Sequence, residues 1–191
     1  MQRRPLLMLL GPFLILASCL AATACTSFVM DTPDGPVFGT NLDLFIPGDG
    51  LVLVNLRGVE KESYQAGTTG ERLRWTSGYG SITFNVAGRE LVWGGMNEAG
   101  LVISSMELSP GEYPDPDERP ALYDGNWGQF VLETCATVEE VIETNSRVRV
   151  QDQGNTSHYL IADAEGNALA VEYLDGEVLF HTGDDLPVRA M

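Results

Sequence analysis

Histidine is scarce in this sequence: His158 and His181 are the only two, and no pair sits at metal-ligand spacing, which argues against a zinc centre. The acids Asp115, Asp117 and Glu118 lie among prolines and lack the spacing of a calcium loop. Positive charge is also scarce. Only 11 Lys and Arg stand against 27 Asp and Glu, a formal net charge of −16, so nucleic acid and anionic membranes would be repelled. Three cysteines in 191 residues are too few for a disulfide scaffold. Of these, Cys135 falls in a segment that reads as helical and is expected to be a small buried hydrophobe. The apolar run Leu6 to Leu16 is too short to span a bilayer. Internal repeats and low-complexity tracts are absent as well.

What is present begins with export. Arg3 and Arg4, the apolar run, and the small residues ending Ala22-Thr23-Ala24 have the three-part pattern of a secretory signal covering residues 1–24. Cleavage there leaves one domain of 167 residues, 25–191, with Cys25 first, in the periplasm or the medium. The spread of acidic residues then reads as the solvated surface of an exported protein. Leu16-Ala17-Ser18-Cys19 competes for the same run, because it matches a lipobox. Lipidation at Cys19 would anchor the chain to a membrane and bury the Cys25 amine in a peptide bond.

From Cys25 onward, apolar and polar residues alternate with period two between turn-forming clusters, which predicts strands over 26–30, 36–41, 51–56, 81–86, 91–97 and 100–106. Residues 109–120 hold four prolines and read as a long exposed loop. Helices are predicted near 126–135 and 138–145, the second opened by a capping box from Thr137 to Glu140. Strands return at 158–162, 168–173 and 177–181. Strands, then helices, then strands predict an α+β domain whose helices cover antiparallel sheet.

An amino-terminal cysteine is a complete nucleophilic unit, because its own α-amine, with an ordinary pKa of about 7.7–8.0, can take the thiol proton. On the residues alone, Cys25 is equally readable as the first residue of a strand. Four blocks then resemble one family. Cys25-Thr26-Ser27-Phe28, Phe38-Gly39-Thr40-Asn41-Leu42-Asp43, Gly95-Met96-Asn97-Glu98-Ala99-Gly100-Leu101, and His158-Tyr159-Leu160-Ile161-Ala162-Asp163 with Val171-Glu172-Tyr173 are similar, in order and spacing, to the choloylglycine hydrolase and penicillin V acylase family. The likeness covers essentially everything after residue 24.

The resemblance implies the four-layer αββα fold of N-terminal-nucleophile hydrolases. It also implies hydrolysis of linear amides such as conjugated bile salts and penicillin V, with a small-molecule N-acyl amide as substrate and no cofactor. By the same carry-over, Cys25 is the nucleophile and Asp43 is the acid that orients the cysteine amine, as a carboxylate beside an ammonium group would. Asn97 and Gly100 fall in a hairpin turn and are read as structural, since Asn followed by a later Gly suits left-handed backbone. His158 is likewise read as structural, and Trp127 and Trp93 as core rather than a binding box.

Three departures from the family pattern bear on chemistry. Relatives carry an arginine where this chain has Thr40, whose hydroxyl supplies no fixed positive charge. Their Asn or Tyr oxyanion side chain aligns with Glu107, an anion that would oppose developing negative charge. Glu107 is therefore expected to point away, leaving a backbone N–H to serve, unless the alignment slips by one residue. Relatives also continue past the residues matching Arg189-Ala190-Met191 into a Thr-Asn pair and a later arginine, so 25–191 is expected to be the first part of the domain, with its fold incomplete. The reading is an exported cysteine hydrolase of linear amides. Its alternatives are a binding homologue that has lost the chemistry and a lipoprotein anchored at Cys19, and a homo-oligomer is left open.

Overall fold

The computed structural model describes residues 25–43, 50–64, 70–86, 88, 91–151, 156–186 and 189–191. The expected signal segment and Cys19 lie outside them. Turn chemistry closes the first hairpin, β1 (Thr26–Thr32) and β2 (Gly35–Asn41). Thr32 Oγ1 accepts from the Asp34 N–H at 3.3 Å and donates to the Gly35 carbonyl at 2.7 Å. Gly35 itself takes φ +115°, a region that favours glycine.

The chain continues through β3 (Leu51–Asn55), β4 (Glu60–Glu62), β5 (Arg74–Thr76), β6 (Ser81–Asn85), β7 (Val92–Asn97), β8 (Val102–Leu108) and β9 (Ala121–Tyr123). Two helices follow, α1 (Asp124–Thr134) and α2 (Val138–Asn145), and then β10 (Arg149–Gln151), β11 (Thr156–Ala162), β12 (Ala168–Leu174) and β13 (Glu177–Thr182). Seven strands form one antiparallel sheet in the order β13-β12-β11-β8-β7-β6-β3. The long predicted strands and both helices are present, each within a few residues of its expected limits. The three-residue strands β4, β5, β9 and β10 are additions that period-two reading did not reveal.

The two faces of this sheet differ. On β8, Ile103 packs into a core with Trp127, Phe130, Leu132, Cys135, Tyr159, Ile161, Val171 and Tyr173, which is the helix side. Met106 on the opposite face packs with Val29 of β1 and with Leu160, Ala162 and Ala168. Side chains alternate along a strand, so Ser105 and Glu107 share the Ile103 face while Val102 and Ser104 share the Met106 face. The result is three stacked layers: helices, the seven-stranded sheet, and the β1–β2 hairpin. Residues 189–191 extend the hairpin layer, with Ser27 N–H and Met191 N–H each donating to the other residue's carbonyl at 2.9 Å.

The hairpin covers only part of its face. Val52, Val54, Ile82, Phe84 and Met96, which register across β3, β6 and β7 toward Val102 and Ser104, are 50–72% exposed.

Buried polar side chains fix how the helix layer sits. Asn97 Nδ2 donates to the carbonyls of Leu132 and Cys135 at 2.9 and 2.7 Å, and its Oδ1 accepts from Ala99 and Leu101 N–H at 3.0 Å each. One side chain thus joins the β7–β8 turn to the end of α1. Gly100 completes that turn at φ +91°, and a Cβ there would meet the Ala164 methyl at 2.9 Å. The structural reading of both residues holds. At α2, Thr137 Oγ1 accepts from Glu140 N–H at 3.3 Å, while the Glu140 carboxylate reaches back to Ala136 N–H at 2.6 Å, one residue earlier than a capping box predicts.

Candidate active site

Cys25 precedes β1 directly and is half-buried against the cluster formed by Val29, Met106 and Leu160. The hairpin register pairs Thr26 with Asn41, which brings the residues after β2 alongside the thiol. Cys25 Sγ lies 3.9 Å from the Asp43 carbonyl oxygen. The two residues expected to work together are therefore adjacent, although 18 positions apart in sequence. The Asp43 carboxylate is exposed and accepts from Asn41 Nδ2 at 3.0 Å, so the contact with cysteine runs through backbone and the carboxylate is oriented by its neighbour.

Thr40, expected at the arginine position, is held by hydroxyls. Ser27 Oγ donates to Thr40 Oγ1 at 3.0 Å, and Thr40 Oγ1 lies 2.7 Å from Ser104 Oγ. This chain of three hydroxyls ties the nucleophile's hairpin to the central strand β8. Sequence reading missed Ser27 and Ser104. Their signal was available, because Ser27 sits two residues after Cys25 and Ser104 falls three after the Asn97–Leu101 turn motif, but hydroxyl pairing between sheets is a tertiary relation.

Glu107 turns away, as its charge requires. It is exposed on the helix face of β8, opposite the face that carries Ser104 and Met106. His158 is on β11, registered opposite Met106 of β8. Its Nδ1 lies 3.9 Å from Glu172 Oε1, and Glu172 Oε2 bonds His181 Nε2 at 3.0 Å. Burial, opposed by the Glu172 charge, holds the His158 pKa below the ordinary histidine value. Cys135 is free and fully buried, and burial pushes its thiol pKa up. Trp127 is core, with Nε1 donating to Asn145 Oδ1 at 2.8 Å and its ring 4.3 Å from that of Tyr159. Trp93 departs from the core reading, because it is half-buried and lines a cleft at the end of the sheet.

That cleft, of about 430 Å³, opens beside the nucleophile's hairpin between Thr40, Leu42, Leu51, Phe84, Trp93 and Ser104. Its walls are mainly apolar, the character expected for a pocket that holds an acyl group. Among the described residues no group of His, Cys, Asp and Glu is arranged to hold a metal ion.

Comparison with known proteins identifies the family and the fold. Residues 25–188 match the family described as linear amide C–N hydrolases, choloylglycine hydrolase family. A penicillin V acylase of Pectobacterium atrosepticum is 29% identical over an alignment 178 positions long that covers 83% of this chain and 46% of that protein. The solved penicillin V acylase of Agrobacterium tumefaciens superposes with a TM-score of 0.74 at 31% identity, over 87% of this chain and 51% of that one. A mutant conjugated bile acid hydrolase of Clostridium perfringens superposes at 0.72 with 19% identity, over 87% and 52% respectively, a likeness of fold alone. The chain thus spans about half the length of these relatives.

Proposed function

Because the chain belongs to the choloylglycine hydrolase family of linear amide C–N hydrolases, we propose that it supplies the nucleophile and acyl pocket of an exported cysteine hydrolase that cuts linear amides through a thioester. The observation that carries this reading is the position of Cys25 Sγ at the head of β1, 3.9 Å from the Asp43 carbonyl, on a hairpin whose Thr40 and Leu42 line an apolar cleft. In the resting enzyme, cleavage after Ala24 frees the Cys25 α-amine. That amine takes the thiol proton, and sulfur attacks the amide carbonyl carbon, forming the C–S bond. Collapse of the tetrahedral intermediate breaks the C–N bond, and the proton passes to the departing amine. Water, deprotonated by the same α-amine, then hydrolyses the thioester and regenerates the thiol. Asp43, its carboxylate fixed by Asn41, orients the amine through this cycle.

The assay is release of free amine from simple N-acyl amides by the full-length exported protein. The expected result is turnover that disappears in Cys25→Ala while the melting transition persists. Undiminished turnover in Cys25→Ala would overturn the assignment. A second reading, binding without catalysis, is favoured by the engagement of the Thr40 hydroxyl with Ser27 and Ser104, which leaves no fixed cation at that position. Under that reading wild type and Cys25→Ala release no amine yet bind the amide equally.

A further inference from the structure

A second cleft, of about 350 Å³, adjoins the apolar one at the same end of the sheet. Trp93 and Ser105 line both, so the two cavities meet across the ends of β7 and β8. The linings differ in chemistry. Glu107 and Asp124 bring carboxylates to the second cleft, Trp93, Tyr123 and Tyr159 bring aromatic rings, and among the described residues none that lines it is cationic. Asp124 is positioned at the first turn of α1, where its Oδ1 accepts from Gly125 N–H at 2.7 Å. Tyr159 is fully engaged in the core and forms a rigid wall.

Glu107 explains the arrangement. Its carboxylate disfavours an oxyanion, and the alternation of β8 sends it into this cleft on the opposite face of the sheet. Carboxylates set among aromatic rings are the chemistry that recognises an ammonium group, by ion pairing and by the negative ring faces. Thr40 adds to this, since no guanidinium stands there to attract an anionic substrate. The acidic surface as a whole also raises the local concentration of cations.

We propose that the second cleft binds a cationic nitrogen on the departing amine. The preferred substrates are then amides that join an apolar acyl group to a diamine or similar amine with a second positive charge. This rests on the hydrolase reading above and specifies its substrate. In the reaction the acyl carbon bonds to Cys25 Sγ, the C–N bond breaks, the thiol proton reaches the departing nitrogen through the α-amine, and water later releases the acid. The distal ammonium stays in the second cleft until the amine departs.

Two experiments test the proposal separately from catalysis. The first uses the full-length protein with Cys25→Ala and measures binding of 1,4-diaminobutane by calorimetry. Saturable binding that weakens at least tenfold on Glu107→Gln and fades with added salt is expected. Absent binding, or binding indifferent to Glu107→Gln and Asp124→Asn, overturns the proposal. The second compares kcat/KM of the active enzyme for N-decanoyl-1,4-diaminobutane, N-decanoyl-pentylamine and N-decanoyl-glycine. At least a tenfold preference for the diamine amide over its neutral isostere is expected, with the glycine amide poorest. In Glu107→Gln the preference should collapse, the KM of the diamine amide rising at least tenfold toward that of the neutral amide. Equal rates for all three amides overturn it. Diamine binding that depends on Glu107, in an enzyme that cleaves no amide, retains the cation site and rejects the hydrolase reading instead.

Discussion

Thr40 Oγ1 and Ser104 Oγ stand 2.7 Å apart, a single hydroxyl contact joining the hairpin that carries Cys25 to the middle strand of the main sheet. Thr40 also accepts from Ser27, so replacing it by valine keeps the shape but deprives two hydroxyls of their partner. Thr40→Val should cost about 1 kcal/mol of stability. Its rate of amine release should fall through kcat, because the thiol loses its registration over the sheet. Thr40→Ser should restore both. Denaturant melts and steady-state kinetics provide the check, and unchanged kcat in Thr40→Val would show that the contact does not position the nucleophile.

A second prediction concerns the β4–β5 hairpin, which is docked by charge. Lys61 Nζ is 3.1 Å from Glu133 Oε1 with side-chain exposures of 6% and 0%, and Trp75 Nε1 and Gln129 Nε2 donate to the same carboxylate at 2.5 and 2.7 Å. Removing one partner of a buried pair strands the other, so Glu133→Ala should destabilise the fold by about 3–5 kcal/mol. The double change Lys61→Met with Glu133→Leu should recover part of that loss. A Glu133→Ala shift below about 1 kcal/mol in chemical denaturation would contradict a buried pair.

Acid sensitivity follows from His158. Its folded pKa lies below the ordinary 6.5 because of burial, so between those values the unfolded chain binds a proton that the folded chain does not. Its contribution to stability is therefore complete above about pH 6.5 and is lost as the pH falls from there through the folded pKa. Melting temperatures of wild type and His158→Gln, measured at pH 7.5 and pH 5, should show the larger drop in wild type. Equal drops would remove His158 as a source of acid sensitivity.

Strand alternation made the main sheet legible, and turn chemistry located its β7–β8 hairpin at Asn97–Gly100 and the separate β1–β2 hairpin at Thr32–Gly35. The three-residue strands escaped because they are too short to display a period and because their residues defy it. In β4, the charged Lys61 is drawn inward by Glu133, a partner 72 positions away. Family resemblance brought Cys25 and Asp43 together before geometry did. What remained hidden was relational: the hydroxyl chain through Ser27, Thr40 and Ser104, and the meeting of two clefts at Trp93. Each depends on which strand faces which, and pattern within a single segment carries no such information.

Trapping the acyl-enzyme tests the central claim most directly. The full-length exported protein is mixed with an N-acyl p-nitroanilide, quenched in acid within the first turnovers, digested and weighed. The expected result is a peptide that begins with Cys25 and carries the mass of the acyl group on its sulfur, absent from Cys25→Ala along with all release of p-nitroaniline. An acyl group found on any other residue, or anilide cleavage that continues undiminished in Cys25→Ala, would contradict the account.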